Sequence, residues 1–246
     1  MDDHDSNLEV TSYNLTPDTF DKVLQKQMLQ SFSLTHVNIR SLQKNVNEIN
    51  LLYEHILKSK FDVICLSEVW KVQNTAALGL TGYNLEVKCR QDELRGGGVG
   101  AYIRSSIKYS TLDYDVLHAE SLWFDMNVNG CRVIVGIIYR KPNTDISEFQ
   151  DSLLNVLGNL KIDKLQCILL GDFNINLLVS DNKVEQFQSG LQCMGMQQLI
   201  TSPTRVTKNT SSLIDHIYTN LIASGIHACR YNRNRCFRSF SYLCSF

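Results

Sequence analysis

The fold of this chain is constrained most by a series of short apolar runs that each stop abruptly at a polar residue. Three of them read DVICLS (62–67), RVIVGII (132–138) and CILLG (167–171). Apolar runs of this length, bounded by turn residues, are typical of strands that are buried on both faces. None approaches the length that a helix needs to cross a bilayer. The sequence therefore predicts a domain built around buried β-strands.

Segments with helical spacing alternate with these runs. One face of a helix is marked by Val46, Ile49, Leu52, Tyr53, Ile56 and Leu57, between strands predicted at 33–38 and 61–68. A second helix begins at Asp145 and Glu148, which stand in capping-box register, and a third is predicted near 183–193. Further short strands are expected around 83–89, 98–104, 120–128, 131–139 and 212–218. Strands and helices mixed in this order predict α/β layers rather than an all-β barrel.

Composition places the chain among globular proteins but points to no particular partner. The 246 residues are 43% hydrophobic and 20% charged, with a net charge of −1, so any nucleic-acid contact must come from a local basic patch. The N-terminus, Met1-Asp2-Asp3-His4-Asp5, lacks the basic and apolar regions of a secretory signal, which predicts an intracellular protein. The eight cysteines include no Cys-x-x-Cys pair, and this disfavours a zinc site.

Three segments are predicted along the chain. Residues 1–32 form an N-terminal extension with a short helix that starts at Thr16-Pro17, and residues 33–222 form the main domain. Residues 223–246 contain no Asp or Glu but several Arg and Cys, without a helical or strand period. This last segment is expected to be an aberrant, disordered tail.

A glycine-rich stretch, RGGGVG (95–100), invites comparison with phosphate-binding loops. A phosphate cradle normally opens a helix, whereas this stretch runs into the strand VGAYIR (99–104). A flexible turn into a hairpin is therefore favoured over a phosphate loop.

Polar residues end several of the predicted strands. Each one alone is typical of a turn or a cap. In open α/β folds, however, ligands bind outside the carboxyl ends of strands, so such tips can converge on one site. Asn174 follows Asp172 by two positions, and the period of a strand predicts that both side chains point the same way. The tips are Asn38, Glu68, Tyr139, Asp172 and Asp215.

The chemistry of these groups favours a hard cation and a phosphate ester. Carboxylate and carboxamide oxygens, without cysteine or a repeated histidine pattern, suit Mg²⁺, with Mn²⁺ as the alternative. The hydroxyl of Tyr139 donates to an anionic oxygen, and Arg140 adds positive charge. Together these groups predict phosphodiester hydrolysis, in which metal and donors neutralise charge that develops on the phosphorus oxygens.

The motifs and their order resemble the endonuclease/exonuclease/phosphatase superfamily over residues 33–222. They are most similar to the endonuclease domains of non-LTR retrotransposons of the long interspersed element type (jockey/CR1-like), which in turn are similar to apurinic-site endonucleases and pancreatic-type deoxyribonuclease. The resemblance implies a four-layer α/β sandwich of two mixed β-sheets flanked by helices. The motifs are HVNIRSL, LSEVW, GGGVGAYIR, ESLWFDM, GIIYRKPN, LLGDFNIN and LIDHIYTN.

The resemblance also implies a role for each strand tip. Glu68 matches the principal metal ligand and Asn38 lies beside the metal, while Tyr139 matches the tyrosine that contacts the scissile phosphate. Asp172 and Asn174 match the pair that activates and positions the attacking water. Asp215 matches the aspartate that orients a catalytic histidine, whereas His216, which follows it directly, is expected to face away from the site. His36 and His118 are expected to be ordinary strand residues.

The same resemblance implies the partners of the domain. DNA is the expected substrate, nicked to prime reverse transcription, and Arg40, Arg140 and Arg205 are the expected nucleic-acid contacts. The domain is expected to be monomeric, normally fused to a reverse transcriptase, to act in the nucleus, and to need neither a membrane nor a small-molecule cofactor.

The match breaks at the end of the chain. The family pattern finishes with Ser-Asp-His on a last strand, and no Ser-Asp-His occurs here; the only histidine after His216 is His227. The last strand is therefore expected to be incomplete, and a frameshift or misjudged exon boundary near Ser224 would account for the change in composition. Loss of the central histidine of such a unit lowers the rate by orders of magnitude.

Three functions follow from this pattern. The first is a Mg²⁺-dependent DNA endonuclease with impaired activity. The second is a non-catalytic retroelement remnant that keeps the fold and at most binds nucleic acid. The third, a phosphatase or sphingomyelinase of the same superfamily, is less favoured because the motifs match the retroelement branch.

Overall fold

The computed structural model describes residues 11–15, 31–56, 61–90, 96–221, 227–233 and 237–245. The helix predicted after Thr16-Pro17 lies outside the described residues. The strands are β1 (Thr11–Leu15), β2 (Ser31–Asn38), β3 (Val63–Ser67), β4 (Tyr83–Lys88), β5 (Val99–Arg104), β6 (Lys108–Leu112), β7 (Ala119–Val128), β8 (Cys131–Arg140), β9 (Gln166–Asp172), β10 (Gln197–Gln198), β11 (Arg205–Val206), β12 (Ser211–Ser212), β13 (Asp215–Thr219), β14 (His227–Arg233) and β15 (Phe237–Ser245). The α-helices are α1 (Leu42–Asn50), α2 (Ile146–Asn159) and α3 (Asn182–Cys193), with a π-helical turn at Leu51–Ile56 and a 3₁₀ turn at Thr75–Leu78.

Two mixed sheets carry the fold. The first has the strand order β1-β14-β15-β2-β3-β5-β4, and the second has the order β10-β13-β9-β8-β7-β6. The parallel pairs β2–β3 and β8–β9 lie near the centres of the two sheets. Because the two strands of each pair run in the same direction, their carboxyl ends lie at the same end of the sheet. A separate hairpin is formed by β11 and β12.

The layers follow from which faces of the sheets are apolar. Side chains of both sheets, such as Leu34 and Val63 from the first and Val135 and Ile168 from the second, form one core between the sheets. The outer face of the first sheet packs against α1, and the outer face of the second packs against α2 and α3. The predicted four-layer sandwich of two mixed sheets flanked by helices is therefore confirmed. Strands buried on both faces explain the nearly continuous apolar runs.

The segment after residue 222 differs from the disordered tail that was predicted. Residues 227–233 and 237–245 form β14 and β15, and β15 pairs antiparallel with the whole length of β2. The physical reason lies in the backbone of β2, which is buried between neighbours and needs a hydrogen-bonding partner on each edge.

The N-terminal extension also contributes to the first sheet. β1 pairs parallel with β14, with Thr11 opposite His227 and Leu15 opposite Tyr231. Part of the predicted extension therefore belongs to the same sheet as the main domain. No helix among the described residues is long and apolar enough to cross a membrane.

Candidate active site

The polar residues at the ends of the strands lie close together, where the strand ends of the two sheets face each other. Asn38 ends β2 and Glu68 directly follows β3, while Asp172 ends β9. β13 runs antiparallel to β9, so its first residue, Asp215, is the register partner of Asp172. Tyr139 of β8 is the partner of Asp172 on the other side. Three polar residues of the second sheet thus form one cross-strand row.

Asn38 joins this row to the first sheet. Its Nδ2 donates to Oδ2 of Asp172 over 2.9 Å and to Oε1 of Glu68 over 3.1 Å. Asn38 and Asp172 are each 1% exposed. A single buried carboxamide therefore fixes two carboxylates, the partly buried Glu68 next to the first sheet and the buried Asp172 of the second.

The oxygen atoms of this site are suitable ligands for a hard divalent cation. Oδ1 of Asn38 is buried and accepts no hydrogen bond from the described residues, and the neighbouring groups of Glu68 and Asp172 are also oxygens. Mg²⁺ typically takes one or two protein carboxylates and keeps other positions for water and phosphate. The described residues contain no cluster of three or more His, Cys, Asp or Glu placed to hold a metal, so a cation would here rely on this small oxygen set.

Glu68 is presented by an unusual backbone conformation. Its φ is +54° and that of Trp70 is +61°, in the left-handed region that non-glycine residues rarely adopt. The carbonyl of Glu68 accepts a hydrogen bond from the amide of Ser41 over 2.8 Å. Strained residues of this kind are concentrated at functional sites, and here the bend turns the chain as it leaves β3.

Tyr139 is held as a neutral hydrogen-bond donor. Burial raises the pKa of its hydroxyl well above the ordinary value, and the nearby carboxylates of Glu68 and Asp172 raise this pKa further. The side chain is only 6% exposed. Near neutral pH the phenol therefore remains protonated and can donate to an anionic oxygen.

Asn174 does not point where the period of a strand predicts. β9 ends at Asp172, and Asn174 has a φ of +49°, so the alternation no longer applies. The backbone amide of Asn174 donates to Oδ1 of Asp172 over 3.3 Å, and its Nδ2 donates to the carbonyl of Arg140 over 2.8 Å. Asn174 thus closes a turn around Asp172 and is anchored beside Tyr139.

Asp215 has a neighbour that the sequence did not indicate. Its Oδ1 lies 4.0 Å from Nδ1 of His36, and Nε2 of the same histidine is 3.1 Å from the hydroxyl of Ser67. The backbone amide of Asp215 donates to Oγ1 of Thr204 over 3.1 Å. His36 precedes Asn38 by two positions on β2, and this shared face was the signal that could have placed it between the sheets.

His216 faces away from the site, as predicted. Its Nε2 donates to the carbonyls of Ile175 and Leu213 over 3.0 and 3.2 Å, and its ring lies 4.9 Å from that of Phe173. Burial lowers the pKa of His216 to about 4. The residue is a neutral core histidine. His118, in contrast, lies in the turn before β7 and places Nε2 2.6 Å from Oε2 of Glu148.

The three predicted arginine contacts are placed very differently. Arg40 is exposed just after Asn38, and Arg205 is exposed on β11, directly after Thr204. Arg140 is 2% exposed and donates to the carbonyls of Asn174 and Thr144. Its burial contradicts the predicted nucleic-acid contact. Arg140 follows Tyr139 on the same strand, so its side chain lies on the opposite face of the sheet.

Comparison with known families gives a match over most of the chain. The family model described as "Endonuclease/Exonuclease/phosphatase family" matches residues 36–231. Members of that family are hydrolases, including nucleases and phosphatases, and they typically depend on divalent metals. No curated protein sequence matches the chain.

Solved structures share the fold at low sequence identity. An AP endonuclease from Leishmania major, LMAP, has 13% identity and a TM-score of 0.71, with 88% of each chain covered. The endonuclease domain of TRAS1, a telomere-specific non-LTR retrotransposon, has 11% identity and a TM-score of 0.64 over 87% of this chain and 98% of that one. The human Nocturnin catalytic domain has 17% identity and a TM-score of 0.64 over 88% and 94%.

Proposed function

Because this chain belongs to the endonuclease/exonuclease/phosphatase family, we propose that it hydrolyses phosphodiester bonds in DNA as a Mg²⁺-dependent endonuclease. One observation carries the proposal: Asn38 contacts both Glu68 and Asp172, beside the row of Tyr139 and Asp215. This hydrolysis needs a carboxylate that accepts a proton, a neutral hydrogen-bond donor and a cation site made of oxygen ligands.

Glu68 and Asn38 are the residues that would hold the cation. Glu68 is the less buried of the two carboxylates next to Asn38, and the buried Oδ1 of Asn38 offers a second oxygen. When bound, Mg²⁺ supplies positive charge to the phosphate oxygens, and Mn²⁺ can take the same oxygen ligands.

The chain's own residues account for the proton and for charge at phosphorus. Asp172 takes a proton from the attacking water as the water oxygen bonds to phosphorus and the bond from phosphorus to the leaving sugar oxygen breaks. The leaving oxygen keeps the electron pair of that bond and takes a proton from solvent. Asn174 fixes the orientation of Asp172 through its backbone amide. The protonated hydroxyl of Tyr139 donates a hydrogen bond to a non-bridging oxygen, where negative charge develops.

We assign the domain to a non-LTR retrotransposon, in which it would nick chromosomal DNA in the nucleus while fused to a reverse transcriptase. The motif order of the sequence supports this origin, and the TRAS1 domain is one of the proteins with a similar fold. The rate is expected to be low because the sequence has no Ser-Asp-His motif.

A non-catalytic remnant is the second candidate. The observation in its favour is the strand that lies beside β2: in β15 the register partner of Asn38 is Arg238, and the strand contains no histidine. Such a protein would keep the fold and bind DNA without cleaving it.

Nicking of supercoiled plasmid separates these candidates. The endonuclease converts supercoiled DNA to open circles in Mg²⁺, slowly, and stops when EDTA is added, whereas the remnant binds the plasmid and leaves it intact. Release of inorganic phosphate from a sugar phosphate in parallel, without nicking, would instead identify a phosphatase and contradict the proposal.

A further inference from the structure

Arg140 is a buried cation on the outer face of the second sheet, and among the described residues no carboxylate lies within ion-pair distance of it. Asp145 acts on its guanidinium only through a longer-range attraction. The Asp145 carboxylate instead accepts hydrogen bonds from the amides of Ser147 and Glu148 at the start of α2. It also accepts one from Nζ of Lys183. A buried charge without a carboxylate partner lowers stability, so the groups that do hold Arg140 indicate its role.

The two terminal nitrogens of Arg140 join two loops. Nη1 donates to the carbonyl of Asn174 over 3.3 Å, in the loop that follows β9, and Nη2 donates to the carbonyl of Thr144, in the loop that follows β8. Nε is buried and has no hydrogen-bond partner among the described residues. The planar guanidinium spans the two carbonyls, whereas the ammonium of a lysine is a single point charge on a flexible stem.

The guanidinium of Arg140 is also held from the side of α2. Its carbon lies 5.7 Å from the centre of the Phe149 ring, and a cation over an aromatic face is attracted to it. Phe149 is fully buried and lies 6.0 Å from the ring of Phe173, between ring centres. The position of Arg140 is therefore set by the packed core between the second sheet and the helices.

Asn174 connects Arg140 to the proposed proton acceptor. Its Nδ2 donates to the carbonyl of Arg140 over 2.8 Å, and its backbone amide donates to Oδ1 of Asp172 over 3.3 Å. The backbone of Asn174 is in the left-handed region, with a φ of +49°, and such a conformation persists only where the surroundings support it. The two hydrogen bonds between Arg140 and Asn174 give this support, so they help to orient the Asp172 carboxylate.

We propose that Arg140 is a positioning residue for the hydrolysis, which through Asn174 holds the carboxylate of Asp172 in place for the attacking water. The inference rests on the proposed function. A charged donor holds a carbonyl more firmly than a neutral one, and a displacement of reacting groups by about 1 Å can lower a rate about a hundredfold. Arg140 therefore acts on the rate of cleavage and not on the affinity for DNA.

The test compares Arg140→Lys with the wild type in single-turnover nicking in Mg²⁺ and in binding to a DNA duplex in EDTA. The variant keeps the positive charge and loses the planar fork, so the rate should fall by about tenfold to a hundredfold. The dissociation constant should change by less than about twofold, because no phosphate contact is removed. Hydrogen exchange of the Asn174 backbone amide, followed by NMR, should become about tenfold faster as the turn around Asp172 loosens.

The matched control is Leu153→Ala on α2. Leu153 is fully buried in the same core as Phe149, so its truncation leaves a cavity and lowers stability without removing a donor to either loop. All variants are compared at a temperature at which circular dichroism shows them to be folded, and Leu153→Ala should keep the wild-type rate. If Arg140→Lys does not fold, Asn174→Ala breaks the same link from the other side and should lower the rate with DNA affinity retained.

A wild-type nicking rate in Arg140→Lys would overturn the proposal, and so would an Asn174 amide as protected as in the wild type. An equal loss of rate in Leu153→Ala would also overturn it, since lower stability alone would then explain the loss. If the wild type does not nick plasmid, the proposed function fails. The exchange rate of the Asn174 amide then decides by itself whether Arg140 holds the turn around Asp172.

Discussion

The carboxamide nitrogen of Asn38 lies 2.9 Å from Oδ2 of Asp172 and so bridges the two sheets at their shared edge. The two residues are separated by 134 positions in the sequence, and both are buried. A hydrogen bond to an ionised group in a water-poor site is stronger than a neutral one. The contact therefore fixes the distance between β2, which carries the proposed cation ligand Asn38, and β9, which carries the proposed proton acceptor Asp172.

The first prediction concerns Glu68. Glu68→Gln should abolish Mg²⁺-stimulated nicking because it removes the charge of the proposed principal cation ligand while it keeps the shape of the side chain. Thermal unfolding should stay close to that of the wild type, since the residue is at the rim of the core. Glu48→Gln, an exposed change on α1, is the control. Wild-type nicking by the Glu68 variant would remove this residue from the metal site.

The second prediction concerns Tyr139. Tyr139→Phe should lower the rate at saturating DNA by about tenfold to a hundredfold, because one donor to the developing charge is lost. The raised pKa of the hydroxyl also means that deprotonation of Tyr139 should not lower the wild-type rate between pH 7 and about 10. Tyr109→Phe, whose hydroxyl bonds Glu86, is the matched control. A rate equal to that of the wild type would show that the hydroxyl has no part in the reaction.

The third prediction separates Arg140 from the exposed arginines. Arg140→Met should destabilise the protein by about 2–3 kcal/mol in urea unfolding, because the carbonyls of Asn174 and Thr144 lose a buried donor. Arg40→Met should instead leave stability nearly unchanged and weaken DNA binding at low salt. The reverse pattern would restore Arg140 as a nucleic-acid contact.

The fourth prediction is a pH dependence of stability that arises from His216. Its pKa is about 4 in the folded protein and about 6.5 when unfolded. Between these values the unfolded state binds more protons, so stability is complete above about pH 6.5 and falls as the pH drops, by about 3 kcal/mol at pH 4. His216→Gln keeps a donor without this titration.

Urea unfolding at pH 7 and pH 4 measures this difference. The stability lost by the wild type between the two values should exceed that lost by His216→Gln by about 3 kcal/mol. The partly exposed His118 gives the control variant, His118→Gln. Equal losses in the wild type and His216→Gln would show that His216 does not titrate as a core histidine.

Much of the fold could be predicted from the sequence because its central strands are buried on both faces. The apolar runs of β3, β8 and β9 and the helical spacing of α2 each reflect a single dominant cause, which is burial. The short edge strand β6 and the hairpin of β11 and β12 were not predicted. Strands that are mostly exposed have no continuous apolar run, so their pairing depends on tertiary neighbours.

The candidate site could be predicted only in part, for a similar reason. Strand tips are visible in the sequence, and Asn38, Glu68 and Asp172 meet as expected. The directions of side chains beyond a strand end are not visible, since they depend on local φ angles such as that of Asn174. The proximity of Arg140 and Asn174 depends on a strand and a loop 34 positions apart, and no local pattern links them.

Mg²⁺-dependent nicking of supercoiled plasmid by the wild type and by Asp172→Asn, prepared in parallel, tests the proposed active site most directly. We expect slow conversion to open circles by the wild type and no conversion by the variant, because the proposed proton acceptor is lost. DNA binding by Asp172→Asn should be equal or tighter, since a negative charge near phosphate is removed. Equal nicking by both proteins, or collapse of DNA binding with cleavage retained, would contradict the assignment of Asp172 and with it the proposed site.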